Sequence, residues 1–359
     1  MEFVLSPLYV VLSPLSRILD TIGLLSIGQH IALGITVVVI GLLVARRRRA
    51  LIGGGVWLAV LLVLYACAAA LPRPMATITV ADSTKLLVDF HSHTNASGDT
   101  RSGFSPEANR EWHKRAGFNA AYISDHRSFT GAEAARSSNP AMAGDGTVLL
   151  SAYEGRYMGT FEIFLSLSRV DSARLLNRRR WLVEGRLFSG DRLPASVVAL
   201  PSPLGDVQPI AHDGPPYIAA IEISDGSPKG FSQIDRDHAV IIRRADSLGI
   251  ALVSGSNNHG WGRVVPAWTL VKVPGWRGLS PDSLGAAIEG ALRAAPRDVS
   301  VIERRRPTLS SPAAMALTFP VAVAQLLATL TIPERIVWLA WIWGLWLIWV
   351  KQRRESVRQ

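Results

Sequence analysis

The 359-residue chain is 48% hydrophobic and only 18% charged, with a formal net charge of +10. This balance fits a membrane protein with a soluble part and argues against a nucleic-acid binder. Much of the basic excess (Arg46 to Arg49, Arg304 to Arg306, Lys351, Arg353 and Arg354) lies beside apolar runs, where such clusters set membrane orientation. The single cysteine, Cys67, lies in an apolar stretch and excludes an intrachain disulfide or a thiolate metal site.

Residues 1–20 are amphipathic and interrupted by Pro7 and Pro14, which predicts an interfacial segment or a poor span, and they lack the basic start and cleavage site of a secretory signal. Residues 21–72 hold two long apolar runs around Arg46 to Arg49, predicting a transmembrane hairpin. A linker follows at 73–84. From 85 to 300 short apolar runs alternate with helix-like stretches: "KLLVDF", "SPEANREWHKRAG", "NAAYIS", then "HAVIIRRADSLG" and "IALVSG". Such alternation predicts an α/β domain with mostly parallel strands. Pro201 to Pro216 reads as a loop. A basic linker (301–312), apolar membrane segments (313–350, with a break at Pro333, Glu334 and Arg335) and a basic tail (351–359) complete the chain. The charge rule for short loops favours a globular domain outside the cytoplasm at a bacterial inner membrane, whereas a C-terminal hairpin would argue the reverse. Few ionisable groups interrupt the apolar segments, His30 being the exception, which weighs against transport by the helices.

There are eight histidines. His30, His113 and His238 fall in helical or apolar contexts and read as satisfied or solvated side chains. The other five sit at or beyond apolar runs. His91 and His93 close "LLVDFHSH", and residues i and i+2 of a strand share a face. Asp125 and His126 follow "NAAYIS", Glu154 follows "TVLLSAY", His259 follows "IALVSGSNN", and His212 follows "VQPIA". Strand ends are where α/β folds gather active sites, so these residues form one candidate site. Imidazoles and carboxylates without thiolates suit zinc, manganese or iron, and one or two such ions would make a hydrolytic centre.

"DFHSHTNASGD", "AYISDH", "YEG" and "SGSNNHG", in this order, resemble the polymerase and histidinol phosphatase (PHP) family over roughly residues 85–300. The resemblance implies a distorted seven-stranded (β/α) barrel and metal-dependent phosphoester hydrolysis with one to three ions. It implies His91, His93, His126, Glu154 and His259 as ligands, Glu154 as the bridging and catalytic carboxylate, and Asp99 as a further ligand or supporting acid. Asp125 becomes an orienting carboxylate with a catalytic role. His212 or Ser202 stands for an Ala-His-Pro histidine, and Asn257 occupies a ligand position usually held by Asp. Thr160, after Gly159, stands where a histidine is common. Arg101, near the first motif, is a candidate phosphate contact, or simply a solvated arginine. The expected activity is that of a membrane-anchored phosphomonoesterase or phosphodiesterase using a metal-bound hydroxide. The alternative is a catalytically weakened module that binds a phosphorylated ligand or partner at the membrane.

Overall fold

The computed structural model describes residues 1–44, 50–126, 128–157, 160–166, 196–200, 218–227, 229–232, 235–304 and 311–358. His212, Ser202, Gly159, Arg305, Arg306, the Arg46–Arg49 cluster and the 201–216 loop lie outside them. The chain divides into two compact units, one of residues 1–2 and 77–310, the other of residues 3–76 and 311–359.

The second unit is helical. Pro7 and Pro14 each stand in the first turn of a helix, Pro7–Val11 and Ser13–Gly23, so they start helices rather than break one. Helices Ile27–Val44 and Ala50–Ala70 pack against each other where the hairpin is expected. In the tail, Thr318–Ala328 is followed by Ile332–Arg358, so the break falls before Pro333 and the basic tail continues the last helix. Among the described residues no single helix is long and apolar enough to cross a membrane; Thr318–Ala328 and Ile332–Ser356 pass only as a pair, bent by 115°. Polar groups of this unit turn inward. Arg17 grips Glu334 at 2.6 and 2.8 Å, and Tyr9 donates to Asp20 at 2.7 Å, all four side chains being buried. Ile31, Ile35, Val63 and Leu345 are among its many exposed apolar side chains.

The first unit is built on nine strands: β1 (Lys85–Ser92), β2 (Ala120–Ile123), β3 (Val148–Tyr157), β4 (Thr160–Leu165), β5 (Ser196–Ala199), β6 (Ile218–Asp225), β7 (Ala251–Gly255), β8 (Ala267–Lys272) and β9 (Ser300–Glu303). Their order is β9-β8-β1-β2-β3-β4-β5-β6-β7. The expectation of mostly parallel strands needs correction, because four of the eight neighbouring pairs are antiparallel. One cause is local: Tyr157 pairs with Thr160, so β3 turns straight back into β4 with no room for a crossover helix. The sheet curls until the chain after β7 reaches β1. Asn257 N–H donates to His91 O at 2.8 Å, and Ser92 bridges Asn258, giving a nearly closed barrel-like sheet.

Helices cover it as the sequence patterns require. Helix α1 (Pro106–Ala116) starts at a Ser105 cap and stops at Gly117, whose φ of 86° is a conformation glycine adopts without strain. Alternate residues Leu86, Val88 and Phe90 of β1 join Val148, Leu150, Ile163 and Val253 in one buried core. Residues of the opposite parity on β2, Ala121 and Ile123, pack instead on Ala132 and Ala135 of helix α2 (Thr130–Ser137). Helix α3 (Asp235–Leu248) covers β6 in the same way through Ile241 and Ala245. Helix α4 (Pro281–Ala294) sends Leu284, Ile288 and Leu292 into the central core.

Candidate metal centre

His91 and His93 lie at the end of β1, where its register with β2 slips between Asp89 and Ser92. A bulge of this kind re-aims side chains. Asp89 anchors it. Its Oδ1 accepts N–H groups from His91 (3.1 Å) and Ser256 (2.9 Å), and its Oδ2 lies 2.7 Å from His113 Nε2 on α1. His113 is thus the satisfied, buried histidine that its helical context implies.

The two imidazoles meet Glu154. His91 Nε2 lies 3.0 Å and His93 Nε2 3.2 Å from Glu154 Oε2, and the two nitrogens are 3.1 Å apart. His126 Nε2 reaches the same oxygen at 3.6 Å. Glu154 is not at the end of its strand as expected. It lies within β3, which runs on past the end of β2, so that His126 forms a bridge beside it. His259 stacks on His93 with ring centroids 4.1 Å apart. Asp99 Oδ2 lies 3.5 Å from His126 and 3.4 Å from His259, with over half of its side chain exposed, so it stands at the mouth.

Two overlapping ligand sets result, His91–His93–Glu154 and His93–His126–His259, with the potential ligand atoms in each within 4.8 Å of one another. Tetrahedral ligands at ~2.0–2.1 Å from zinc stand about 3.3 Å apart, so the first set already has the spacing a metal imposes. The donor set of nitrogen and carboxylate oxygen also suits manganese or iron. A further buried acceptor, Asn257 Oδ1, has no hydrogen-bond partner among the described residues. Asn257 has φ 43°, a region Asn tolerates better than most residues, and its carbonyl lies 3.0 Å from His259 Nδ1, which fixes that ring.

Burial and charge set the protonation states. Burial disfavours the His91 imidazolium, yet Glu222 and Glu154 outweigh it and hold its pKa well above the usual value. Burial pushes His93 down to about 3, so this ring is neutral and ready to ligate. Burial works to raise Glu154, but His91 and His93 hold it far below the carboxylate range.

Glu222 on β6 is a site residue that the sequence patterns above do not single out. It is buried, its Oε1 is 3.1 Å from His91 Nδ1, and burial raises its pKa to about 7. Both shifts favour protonation, so His91 and Glu222 hold a proton between them when no metal is bound. A carboxylate in the middle of the apolar run "IAAIEI" is the available signal, since a charge in a buried strand needs a partner. Gly255 permits the pairing, because a Cβ there would strike both Glu222 and His91.

Asp125 stands behind the ligands. Its carboxylate accepts Thr94 N–H and Oγ1–H at 2.6 Å each, burial lifts its pKa to about 6, and it belongs to neither ligand set. It orients the turn after His93 rather than an imidazole. Arg101 lies at the rim; its N–H donates to His259 O at 3.0 Å and its guanidinium sits 5.5 Å over the Trp261 ring.

No family model and no curated protein matches the chain. Among solved structures, PsfC from Pseudomonas syringae is similar at 14% identity and a TM-score of 0.38, over 69% of this chain and 100% of that one. A two-domain protein from Bacteroides vulgatus, described as containing a PHP-like metal-dependent phosphoesterase, is similar at 16% identity and a TM-score of 0.38, over 66% and 69%. A protein from Bifidobacterium adolescentis, described as a metal-dependent phosphoesterase, is similar at 14% identity and a TM-score of 0.32, over 56% and 94%. These likenesses are distant.

Proposed function

We propose that this chain is a membrane-anchored, metal-dependent phosphoesterase acting on a phosphomonoester or phosphodiester. One observation carries the reading: a single buried carboxylate oxygen, Glu154 Oε2, lies within 3.6 Å of three imidazoles. His91, His93 and Glu154 would hold one divalent ion, and His93, His126 and His259 mark room for a second. Bound ions of this kind supply Lewis acidity at a phosphoryl oxygen and acidify water. The chain's own groups do the rest. Glu222 accepts the Nδ1–H of His91 and so leaves Nε2 to ligate, Asp99 offers a carboxylate at the mouth, and Arg101 supplies a permanent cation for a phosphoryl oxygen.

The direct test is metal content and turnover of the purified full-length protein. We expect at least one zinc, manganese or iron ion per chain and hydrolysis of p-nitrophenyl phosphate or its bis ester. His93→Ala should abolish both while the protein remains folded. A protein that retains no metal after supply of all three ions would overturn the reading.

A second reading, a weakened site that binds a phosphorylated ligand or partner without turning it over, is favoured by Asn257. This neutral side chain stands where the sequence resemblance expects Asp, with its oxygen buried and unpartnered. A large gain of hydrolysis in Asn257→Asp would support it; loss or no change would favour a site adapted to Asn.

Anchoring is supported by the inside-out character of the helical unit, which buries Arg17, Asp20 and Glu334 and exposes apolar side chains. In water the opposite arrangement is favoured. The basic cluster at Arg46 to Arg49 favours an extracytoplasmic catalytic domain. Carbonate-resistant sedimentation with membranes, and protease access from the periplasmic side, test the two parts separately.

A further inference from the structure

Trp261 lies two residues beyond His259 and is 55% exposed. The other described tryptophans of the sheet unit, Trp112, Trp268 and Trp276, are all buried at 3% or less. Among the described residues of 77–304, Trp261 is the most exposed large apolar side chain. An exposed indole forgoes the burial that the other three achieve, so it calls for a reason.

The local backbone is built to present it. Asn258 Oδ1 accepts N–H groups on both sides of the indole, from Gly260 at 2.9 Å and Gly262 at 3.0 Å. Gly260 has φ 86°, and a Cβ there would press on Phe104 and Arg101. The loop that carries ligand His259 is thereby pinned with Trp261 at its tip. The loop that carries Asp99 places Arg101 over the ring and is tied to the first loop by the Arg101 N–H to His259 O bond. Arg101 is thus two residues from Asp99, and Trp261 two residues from His259, the residue that Asp99 approaches at 3.4 Å.

We infer that Trp261 is a specificity-determining residue, a platform on which a planar ring in the alcohol portion of the phosphoester stacks while Arg101 meets the phosphoryl group. The inference rests on the phosphoester reading and narrows its substrate class to ring-bearing esters. Stacking on an indole discriminates by shape, since an alkyl group of the same charge gains little from it. Arg101 takes one face of the indole, so Trp261 also positions the guanidinium, and the ring of the ester stacks on the opposite face.

The test uses metal-loaded full-length protein and two phosphonates, which cannot be hydrolysed at their C–P bond, so binding is separated from turnover. Phenylphosphonate should bind roughly three- to ten-fold more tightly than methylphosphonate. Trp261→Ala should abolish that ratio with metal content unchanged, and Trp261→Phe should restore most of it. An unchanged ratio in Trp261→Ala, or no ratio in the native protein, overturns the inference and leaves the phosphoesterase reading intact. If neither phosphonate binds while metal is retained, the phosphoester reading fails, and this inference with it.

Discussion

At the scale of single residues, the candidate site depends on groups that lie outside both ligand sets. Glu222 is one. A carboxylate on the far nitrogen of a ligating imidazole sets its tautomer and basicity, and losing it typically costs 10–100-fold in metal affinity. We expect Glu222→Gln to weaken metal binding by about that factor while leaving the fold intact, as read by competition with a chromogenic chelator. The His91–Glu222 proton also fixes a pH dependence. His91 has its pKa raised above the usual histidine value, so metal uptake must displace a proton at and above neutral pH. Affinity should therefore rise with pH through and above neutrality and fall on acidification, with proton release measurable by titration in buffers of different ionisation enthalpy. Glu222→Gln should release fewer protons.

At the scale of elements, the bulge at the end of β1 aims His91 and His93 at the other ligands, and Asp89 holds it. The i, i+2 pattern predicts a shared face on a regular strand, and the register slip changes how that face is reached. Asp89→Ala would leave His113 buried without its partner and free two backbone N–H groups. Leaving a buried polar group unsatisfied costs about 1–3 kcal/mol. We expect a loss of that order in urea unfolding of the metal-free protein, with metal affinity lowered as well. The sequence shows β1, β2, α1 and β7 clearly, because each has a strong apolar period or a cap-and-glycine frame. It does not show that β3 continues past Glu154 and pairs antiparallel with β4, because that pairing depends on the partner strand rather than on local propensity.

At the scale of the whole molecule, metal and fold should be linked. The ligands come from β1, the chain after β2, β3 and the chain after β7, so an ion would tie together segments distant in sequence. Binding to the native state alone stabilises it by ~2.7 kcal/mol at a hundred-fold excess over Kd. We expect chelation to lower the Tm of the sheet unit and re-addition of zinc or manganese to restore it, as followed by scanning calorimetry. His93→Ala should be insensitive to both treatments.

Composition and pattern by themselves determined the division into apolar and α/β parts and the candidate residues His91, His93, His126, Glu154 and His259, since ligand types at the ends of apolar runs are a local signal. Tertiary structure alone decided that these five converge, because convergence depends on sheet curvature and on closure between β1 and the chain after β7. It also brought in Glu222, turned Asp125 towards Thr94, and set Trp261 beside Arg101. The reason is physical. Residue type fixes what a side chain can bind, but partners more than a hundred residues apart are chosen by packing and backbone pairing, which no short stretch of sequence encodes.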